Sequence, residues 1–88
     1  MVPFKISYKA SVERDVRRLD KPTAARLINK LEHVLSTNPN AGEPLHGEFR
    51  GLFKYRIGEY RVIYTKASDG VLILRIGHRK DVYRFTVP

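Results

Sequence analysis

The fold of this chain is decided by residues 52–79, which read LFKYRIGEYRVIYTKASDGVLILRIGHR. Three runs in this stretch, 52–57, 60–66 and 71–79, are rich in β-branched, aromatic and aliphatic residues, as is typical of strands. The connectors between them, 58–59 and 67–70, are only two and four residues long. We therefore expect three antiparallel strands joined as a meander.

The first connector predicts which strand residues face each other. Gly58 can supply the positive φ that opens a type II′ turn, so Arg56 is expected directly opposite Arg61. Because side chains alternate along a strand, one set faces the core and the other faces outward. The core set is Phe53, Tyr55, Ile57, Tyr60, Val62 and Tyr64, and the outward set is Lys54, Arg56 and Arg61.

The second connector leaves two registers open. A three-residue loop over 68–70, with Gly70 in the left-handed region, places Ile63 opposite Arg75. A two-residue Asp69-Gly70 loop shifts the pairing by one and buries Arg75, which a small core hardly accommodates, so the first register is favoured. That register sends Leu72, Leu74 and Ile76 to the core face, and Arg75 and Arg79 outward.

The residues before the meander predict one strand and two helices. Residues 4–8 alternate between apolar and polar residues, which predicts a strand. A short helix follows, with its apolar positions at Val12, Val16 and Leu19. Its charged residues, Asp15 among them, are expected to face water. A longer helix begins after Asp20 and ends at Asn38-Pro39. Its apolar stripe is Ala24, Leu27, Ile28, Leu31, Val34 and Leu35.

Residues 36–50 hold turn-forming residues and predict a loop from the helices to the sheet. The chain is then a single α+β domain over residues 1–88. Its predicted order is β-α-α-β-β-β, with an antiparallel sheet covered on one face by a helical hairpin.

Composition restricts the function. Seventeen Lys and Arg against nine Asp and Glu give a net charge of +8 in 88 residues, which predicts a polyanionic partner such as nucleic acid. Cysteine is absent and the three histidines lack metal-ligand spacing, so we expect no disulfide, metal or cofactor. The chain contains neither a membrane-length apolar run nor the apolar stretch of a signal peptide, so we expect no membrane contact and a cytoplasmic location.

The outward face of the predicted sheet collects cations: Lys54, Arg56, Arg61, Arg75 and Arg79. No acidic residue lies inside these three strands, and opposed like charges destabilise a sheet by up to about 1 kcal/mol per pair. One interpretation is a solvated outer face. We favour a phosphate-binding face, on which the arginines stay charged while Lys54 can also act as a base.

Residues 77–83 add an imidazole and a phenol to this region. His78 carries an imidazole and is a candidate for proton transfer, although alternation sends it away from Arg79 and a lone histidine more often has a structural role. Tyr83 either stacks on a base or packs in the core. His46, on the predicted loop, is a weaker candidate.

Three segments, 45–47, 53–64 and 76–83, resemble the RelE toxins of bacterial and archaeal toxin–antitoxin systems. The most specific parts are Tyr-Arg-Val-Ile-Tyr at 60–64 and Gly-His-Arg-Lys-Asp-Val-Tyr at 77–83. The resemblance covers essentially the whole chain and implies a RelE-like fold. It also implies a metal-independent endoribonuclease that enters the ribosomal aminoacyl site. There the 2′-hydroxyl of the messenger RNA attacks the adjacent phosphate and leaves a 2′,3′-cyclic phosphate.

The resemblance assigns roles to individual residues. It implies that Lys54 is the general base or a charge stabiliser, and that Arg61 stabilises the transition state. It also implies that Arg79 stabilises or protonates the leaving 5′-oxygen. It makes Tyr83 a residue that stacks on or orients the nucleotide, and His78 a candidate proton donor. The RNA contacts that we expect are Arg56, Arg75, Arg50 and His46, of which the resemblance supplies Arg56 and His46. Arg56 stands where many relatives have a second lysine, which shifts the base role to Lys54.

The resemblance also implies partners. A RelB-like antitoxin is expected to cover or distort the basic site, and the toxin–antitoxin complex can bind DNA through the antitoxin. Two alternatives stay open. One is a non-enzymatic ParE-like toxin that inhibits DNA gyrase, and the other is a catalytically silent nucleic-acid-binding module.

Overall fold

A computed structural model of the chain describes residues 4–78. The elements in order are β1 (Lys5–Tyr8), α1 (Ala10–Arg17), α2 (Lys21–Thr37), β2 (Glu43–Pro44), β3 (Leu52–Ile57), β4 (Tyr60–Ala67) and β5 (Gly70–His78), with a 3-10 turn at Gly47–Phe49. The strands form one mixed sheet in the order β1-β5-β4-β3-β2. Strand β1 runs parallel to β5, and the other neighbours are antiparallel.

The predicted α+β class with two helices is confirmed, and the sheet is mixed because β1 pairs in parallel with β5. The structure adds a fifth strand, because β2 lies inside the region that was predicted to be a loop. None of the helices within residues 4–78 is long and apolar enough to cross a membrane.

Helix α2 begins and ends where the sequence predicts. The side chain of Asp20 accepts a hydrogen bond from the backbone N–H of Thr23 at 3.2 Å, which lowers the pKa of Asp20, and Pro22 occupies the first turn. Asn38 caps the other end. Helix α2 packs on one face of the sheet, which we call the helix-covered face. The α2 residues that are buried against it are Ala24, Leu27, Leu31 and Leu35.

Tyr64 of β4 lies at the centre of this core and is fully buried. Its hydroxyl donates a hydrogen bond to the carbonyl oxygen of Pro39 at 2.8 Å and accepts one from the N–H of Gly42 at 2.9 Å. Its ring stacks on Phe53 with centroids 5.4 Å apart, and burial raises the pKa of Tyr64. These contacts hold the segment that precedes β2 against the sheet.

The hairpin formed by β3 and β4 confirms the predicted register. Gly58 has a φ of 60°, and Arg56 pairs directly with Arg61. The predicted core set packs on the helix-covered face, with Val62 and Tyr64 fully buried and the others partly buried. The two-residue turn therefore determines which side chains point away from the helices.

The predicted turn between β4 and β5 is wrong. Ala67 pairs with Gly70, so the turn consists of Ser68 and Asp69, and Gly70 does not have a positive φ. Gly70 instead pairs with Lys5 of β1, where an added Cβ would overlap the backbone oxygen of Lys5. Glycine is required at this position for the close approach of two strands.

A β-bulge near Leu74 restores the predicted pairing of Ile63 with Arg75, and Arg61 then faces Gly77. The extra residue changes which side chains reach the core. Val71 and Ile73 are buried there together with Ile76, so the prediction that Leu72 and Leu74 face the core is wrong.

Helix α1 corrects a further prediction. Val12 is buried as expected, and Val16 and Leu19 pack against the core. Asp15, expected to face water, is only 6% exposed and hydrogen-bonds to β5.

Candidate functional site

Three cations are brought together on the sheet face opposite the helices: Lys54, Arg56 and Arg61. We call this group the cationic face. Arg56 and Arg61 are direct partners across β3 and β4, where Cβ atoms of opposed residues lie about 4.5–5.5 Å apart. Lys54 is two residues from Arg56 on the same strand, a distance of roughly 7 Å. One phosphodiester with its flanking phosphates is therefore within reach of all three.

The three cations differ in burial. Arg56 is exposed, and its Nε donates a hydrogen bond to the carbonyl oxygen of Gly58 at 3.2 Å. Arg61 is half-buried with a buried Nε, and the side chain of Lys54 is 31% exposed. Ile63, which pairs with Lys54, is fully buried beside them. Partial burial strengthens the interaction of Lys54 and Arg61 with an anion, because the local dielectric constant is lower than that of water.

Lys54 has an acidic neighbour that the sequence analysis did not identify. Glu43 of β2 pairs with Lys54 across the strands, and its Oε2 lies 3.9 Å from Nζ of Lys54. The Glu43 side chain is 80% exposed, so this ion pair is weak and easily exchanged for a stronger anion. The three strands of the meander contain no acidic residue, as predicted, but Glu43 opposes Lys54 from β2, a strand that the sequence did not predict.

Arg75 occupies the predicted register, but its charge is already compensated. Its Nη2 donates a hydrogen bond to Oδ1 of the buried Asp15 at 2.7 Å, and its side chain is only 18% exposed. The expected uncompensated cluster thus loses Arg75. Of the predicted cations in residues 4–78, the cationic face retains Lys54, Arg56 and Arg61.

His78 lies on the other side of the sheet. It pairs with Tyr60, and the two rings meet edge to face with centroids 5.9 Å apart. Its Nε2 is 3.9 Å from Oε2 of Glu59. Because Tyr60 packs against the helix-covered core, the strand directs His78 away from Arg61.

His46 and Arg50 flank the 3-10 turn Gly47–Phe49 and are both exposed. This turn precedes the first residue of β3, whereas the pair of Arg56 and Arg61 lies at the other end of that strand. The structure does not bring either residue next to this pair. Arg79 and Tyr83 lie outside the described residues.

Two residues that shape the site were missed, and only one left a signal in the sequence. Asp15 stands three residues after Val12 and four before Leu19, so it lies on the apolar stripe of α1 and should have been expected to be buried. Glu43 belongs to a two-residue strand that contains a proline, and neither residue pattern nor period identifies such a strand.

Comparison with known proteins gives consistent results. The family described as the ParE toxin of type II toxin–antitoxin system, parDE, matches residues 6–83. The chain is 33% identical over 86 residues to Toxin RelG of Mycobacterium tuberculosis (strain ATCC 25618 / H37Rv), covering 94% of this chain and 99% of the relative. It is 35% identical over 86 residues to Toxin RelE of the same organism, covering 93% and 88%.

Solved structures show the same fold. The toxin–antitoxin complex RelBE2 from Mycobacterium tuberculosis contains a chain with a TM-score of 0.82 and 32% identity, over 89% of this chain and 100% of that one. The RelB–RelE complex from Methanococcus jannaschii gives a TM-score of 0.64 at 17% identity, over 91% and 98%.

Proposed function

The chain belongs to the RelE/ParE superfamily of toxins from type II toxin–antitoxin systems, and from this membership we propose that it is an endoribonuclease that cuts messenger RNA on the ribosome. The observation that carries the proposal is the direct pairing of Arg56 with Arg61, with Lys54 beside them. Opposed residues on one sheet face lie close enough for both guanidinium groups to bind one anion. A phosphodiester supplies that anion.

In the proposed reaction Nζ of Lys54 takes the proton of the 2′-hydroxyl. The 2′-oxygen forms a bond to phosphorus while the bond from phosphorus to the 5′-oxygen breaks, and the 5′-oxygen takes up a proton. The products are a 2′,3′-cyclic phosphate and a 5′-hydroxyl. This transfer needs a base, an acid and charge stabilisation, and no metal or cofactor enters it.

Burial and position support roles for Arg61 and Arg56. Arg61, half-buried, stabilises the charge that develops on the reacting phosphate, where a well-placed donor contributes about 2.7–4 kcal/mol. Arg56, exposed, holds a flanking phosphate. Arg79 serves the leaving 5′-oxygen and Tyr83 stacks on the nucleotide, both as the resemblance implies.

Other predicted residues enter the proposal differently. His46 and Arg50 contact the message beyond the N-terminal end of β3, which is the end away from Arg56. Arg75 is left out because Asp15 already binds its guanidinium. His78 is left out because it contacts Tyr60 on the helix-covered side.

An antitoxin is the proposed protein partner. Similar solved chains come from toxin–antitoxin complexes, which supports this assignment. A RelB-like antitoxin with an acidic segment would neutralise the cationic face and carry the complex to DNA. A ribosomal target would confine the activity to the cytoplasm.

A second candidate is a ParE-like toxin that inhibits DNA gyrase. The observation in its favour is the match to the family described as the ParE toxin. Against it stand the similarity to toxins named RelG and RelE and the presence of the cationic face.

The experiment that separates these functions combines purified ribosomes, a short message and the purified protein, with a gyrase supercoiling assay in parallel. We expect cleavage in the aminoacyl-site codon, a 2′,3′-cyclic phosphate end and unchanged supercoiling. An intact message with inhibited supercoiling would establish the second candidate. An intact message with normal supercoiling would leave a silent nucleic-acid-binding module.

A further inference from the structure

Strand β5 has an edge that β1 covers only in part. The pairing between β1 and β5 ends at Tyr8 and Ile73, and the N–H of Lys9 donates to the carbonyl oxygen of Ile73 at 2.9 Å. Strand β5 continues to His78. Beyond Ile73 the backbone groups on this edge therefore need partners from another element.

Helix α1 supplies those partners through side chains. Ser11 Oγ donates a hydrogen bond to the carbonyl oxygen of Leu74 at 2.7 Å. One helical turn later, Oδ2 of Asp15 accepts a hydrogen bond from the buried N–H of Ile76 at 2.9 Å. Side chains of α1 thus supply hydrogen-bond partners to the part of this edge that β1 does not cover.

Asp15 is engaged through both carboxylate oxygens. While Oδ2 binds the backbone of Ile76, Oδ1 accepts the hydrogen bond from Arg75 at 2.7 Å. Within residues 4–78 Asp15 is the only charged residue that is buried. A buried carboxylate persists only where charge and hydrogen bonds compensate it, and Arg75 and Ile76 provide both.

These bonds surround the bulge near Leu74, where the pairing of β5 with β4 is interrupted. A bulge bends a strand and locally weakens the ladder, so the segment after it needs another constraint. That segment pairs Gly77 with Arg61 and continues in sequence into Arg79. The orientation of the end of β5 relative to Arg61 therefore depends on α1.

We propose that Asp15 is a positioning residue of the ribonuclease site, which fixes the end of β5 beside Arg61 by binding Arg75 and the backbone of Ile76. The inference rests on the proposed function. Displacement of a catalytic group by about 1 Å can reduce a rate by roughly 100-fold. Arg75 accordingly helps to hold the end of β5 in place and does not bind the RNA.

The test measures cleavage on the ribosome at saturating protein, ribosome affinity and thermal unfolding for Asp15→Asn, Ser11→Ala and the control Val12→Ala. The control removes buried methyl groups from the same helix but leaves the bonds to β5 in place. We expect Asp15→Asn to cleave about 10–100-fold more slowly at unchanged ribosome affinity. The same variant should exchange the Ile76 amide proton faster.

Several results would overturn the inference. Cleavage by Asp15→Asn at the wild-type rate would do so, and so would equal slowing in Val12→Ala, because general destabilisation would then explain the loss. If Asp15→Asn does not fold, Ser11→Ala decides, with an expected loss of about 3–10-fold and a wild-type rate as the contrary result. A wild-type protein that cuts no message would end both this inference and the proposed function.

Discussion

Lys54 differs from its neighbouring arginines in that its amine can release and accept a proton. The substitution Lys54→Arg keeps the positive charge and removes this property. If Lys54 is the base, the cleavage rate should fall about 10²–10⁴-fold while RNA affinity changes little. Lys66→Arg is a matched control, because Lys66 lies over the ring of Phe53, away from the cationic face.

Single-turnover cleavage on ribosomes measures this difference. A Lys54→Arg rate within about threefold of the wild-type rate would limit Lys54 to charge stabilisation and would remove the base from the mechanism.

The position of His78 gives a second prediction at the same scale. Its ring contacts Tyr60 and lies near Glu59, on the helix-covered side of the sheet. We expect His78→Gln to retain cleavage within about threefold of wild type, since a lost general acid costs 10²-fold or more. A loss that large would restore His78 as the proton donor for the 5′-oxygen.

At the scale of elements, the contact between β1 and β5 depends on Gly70. A Cβ at this position would overlap the backbone of Lys5, and neither strand can move without breaking the parallel pairing. We expect Gly70→Ala to lower the free energy of unfolding by about 2–4 kcal/mol, or more than about 8 °C in Tm.

Gly58→Ala is the comparison for this prediction. It has open space around it but a positive φ, so we expect a smaller loss of about 1–2 kcal/mol. Thermal unfolding followed by circular dichroism measures the stability of both variants. If Gly58→Ala is less stable than Gly70→Ala, the claim that Gly70 is needed for the close contact between β1 and β5 is contradicted.

The strands also show which parts of the fold and of the site the sequence predicts. The hairpin of β3 and β4 was predictable because a two-residue turn at Gly58 and strict alternation fix the same register. The run 71–74, Val-Leu-Ile-Leu, is apolar throughout, so its pattern fits either face and does not reveal the bulge. The cationic face was therefore predictable at Lys54, Arg56 and Arg61, whereas the pairing of Arg75 with Asp15 depends on the tertiary position of α1.

At the scale of the whole molecule, a net charge of +8 predicts RNA binding that weakens with salt. Each phosphate contact with a single strand contributes about 0.7 to the slope of log K against log salt concentration. We expect Arg56→Gln to reduce the steepness of this slope by about 0.7 on a single-stranded RNA oligonucleotide. Arg14→Gln, on the exposed part of α1, should leave the slope unchanged.

Fluorescence titration over a series of salt concentrations gives these slopes. Equal effects of Arg56→Gln and Arg14→Gln would mean that the RNA responds to total charge and that the sheet does not hold a defined phosphate site.

The central claim, that the cationic face cuts RNA, is tested most directly by the rate at which Arg61→Ala cleaves a message on the ribosome. Arg14→Ala, which removes one equal charge from the exposed side of α1, serves as the reference. We predict that Arg61→Ala cleaves about 10²–10³-fold more slowly than wild type and that Arg14→Ala cleaves at the wild-type rate. An Arg61→Ala protein that cuts as fast as Arg14→Ala would contradict the account.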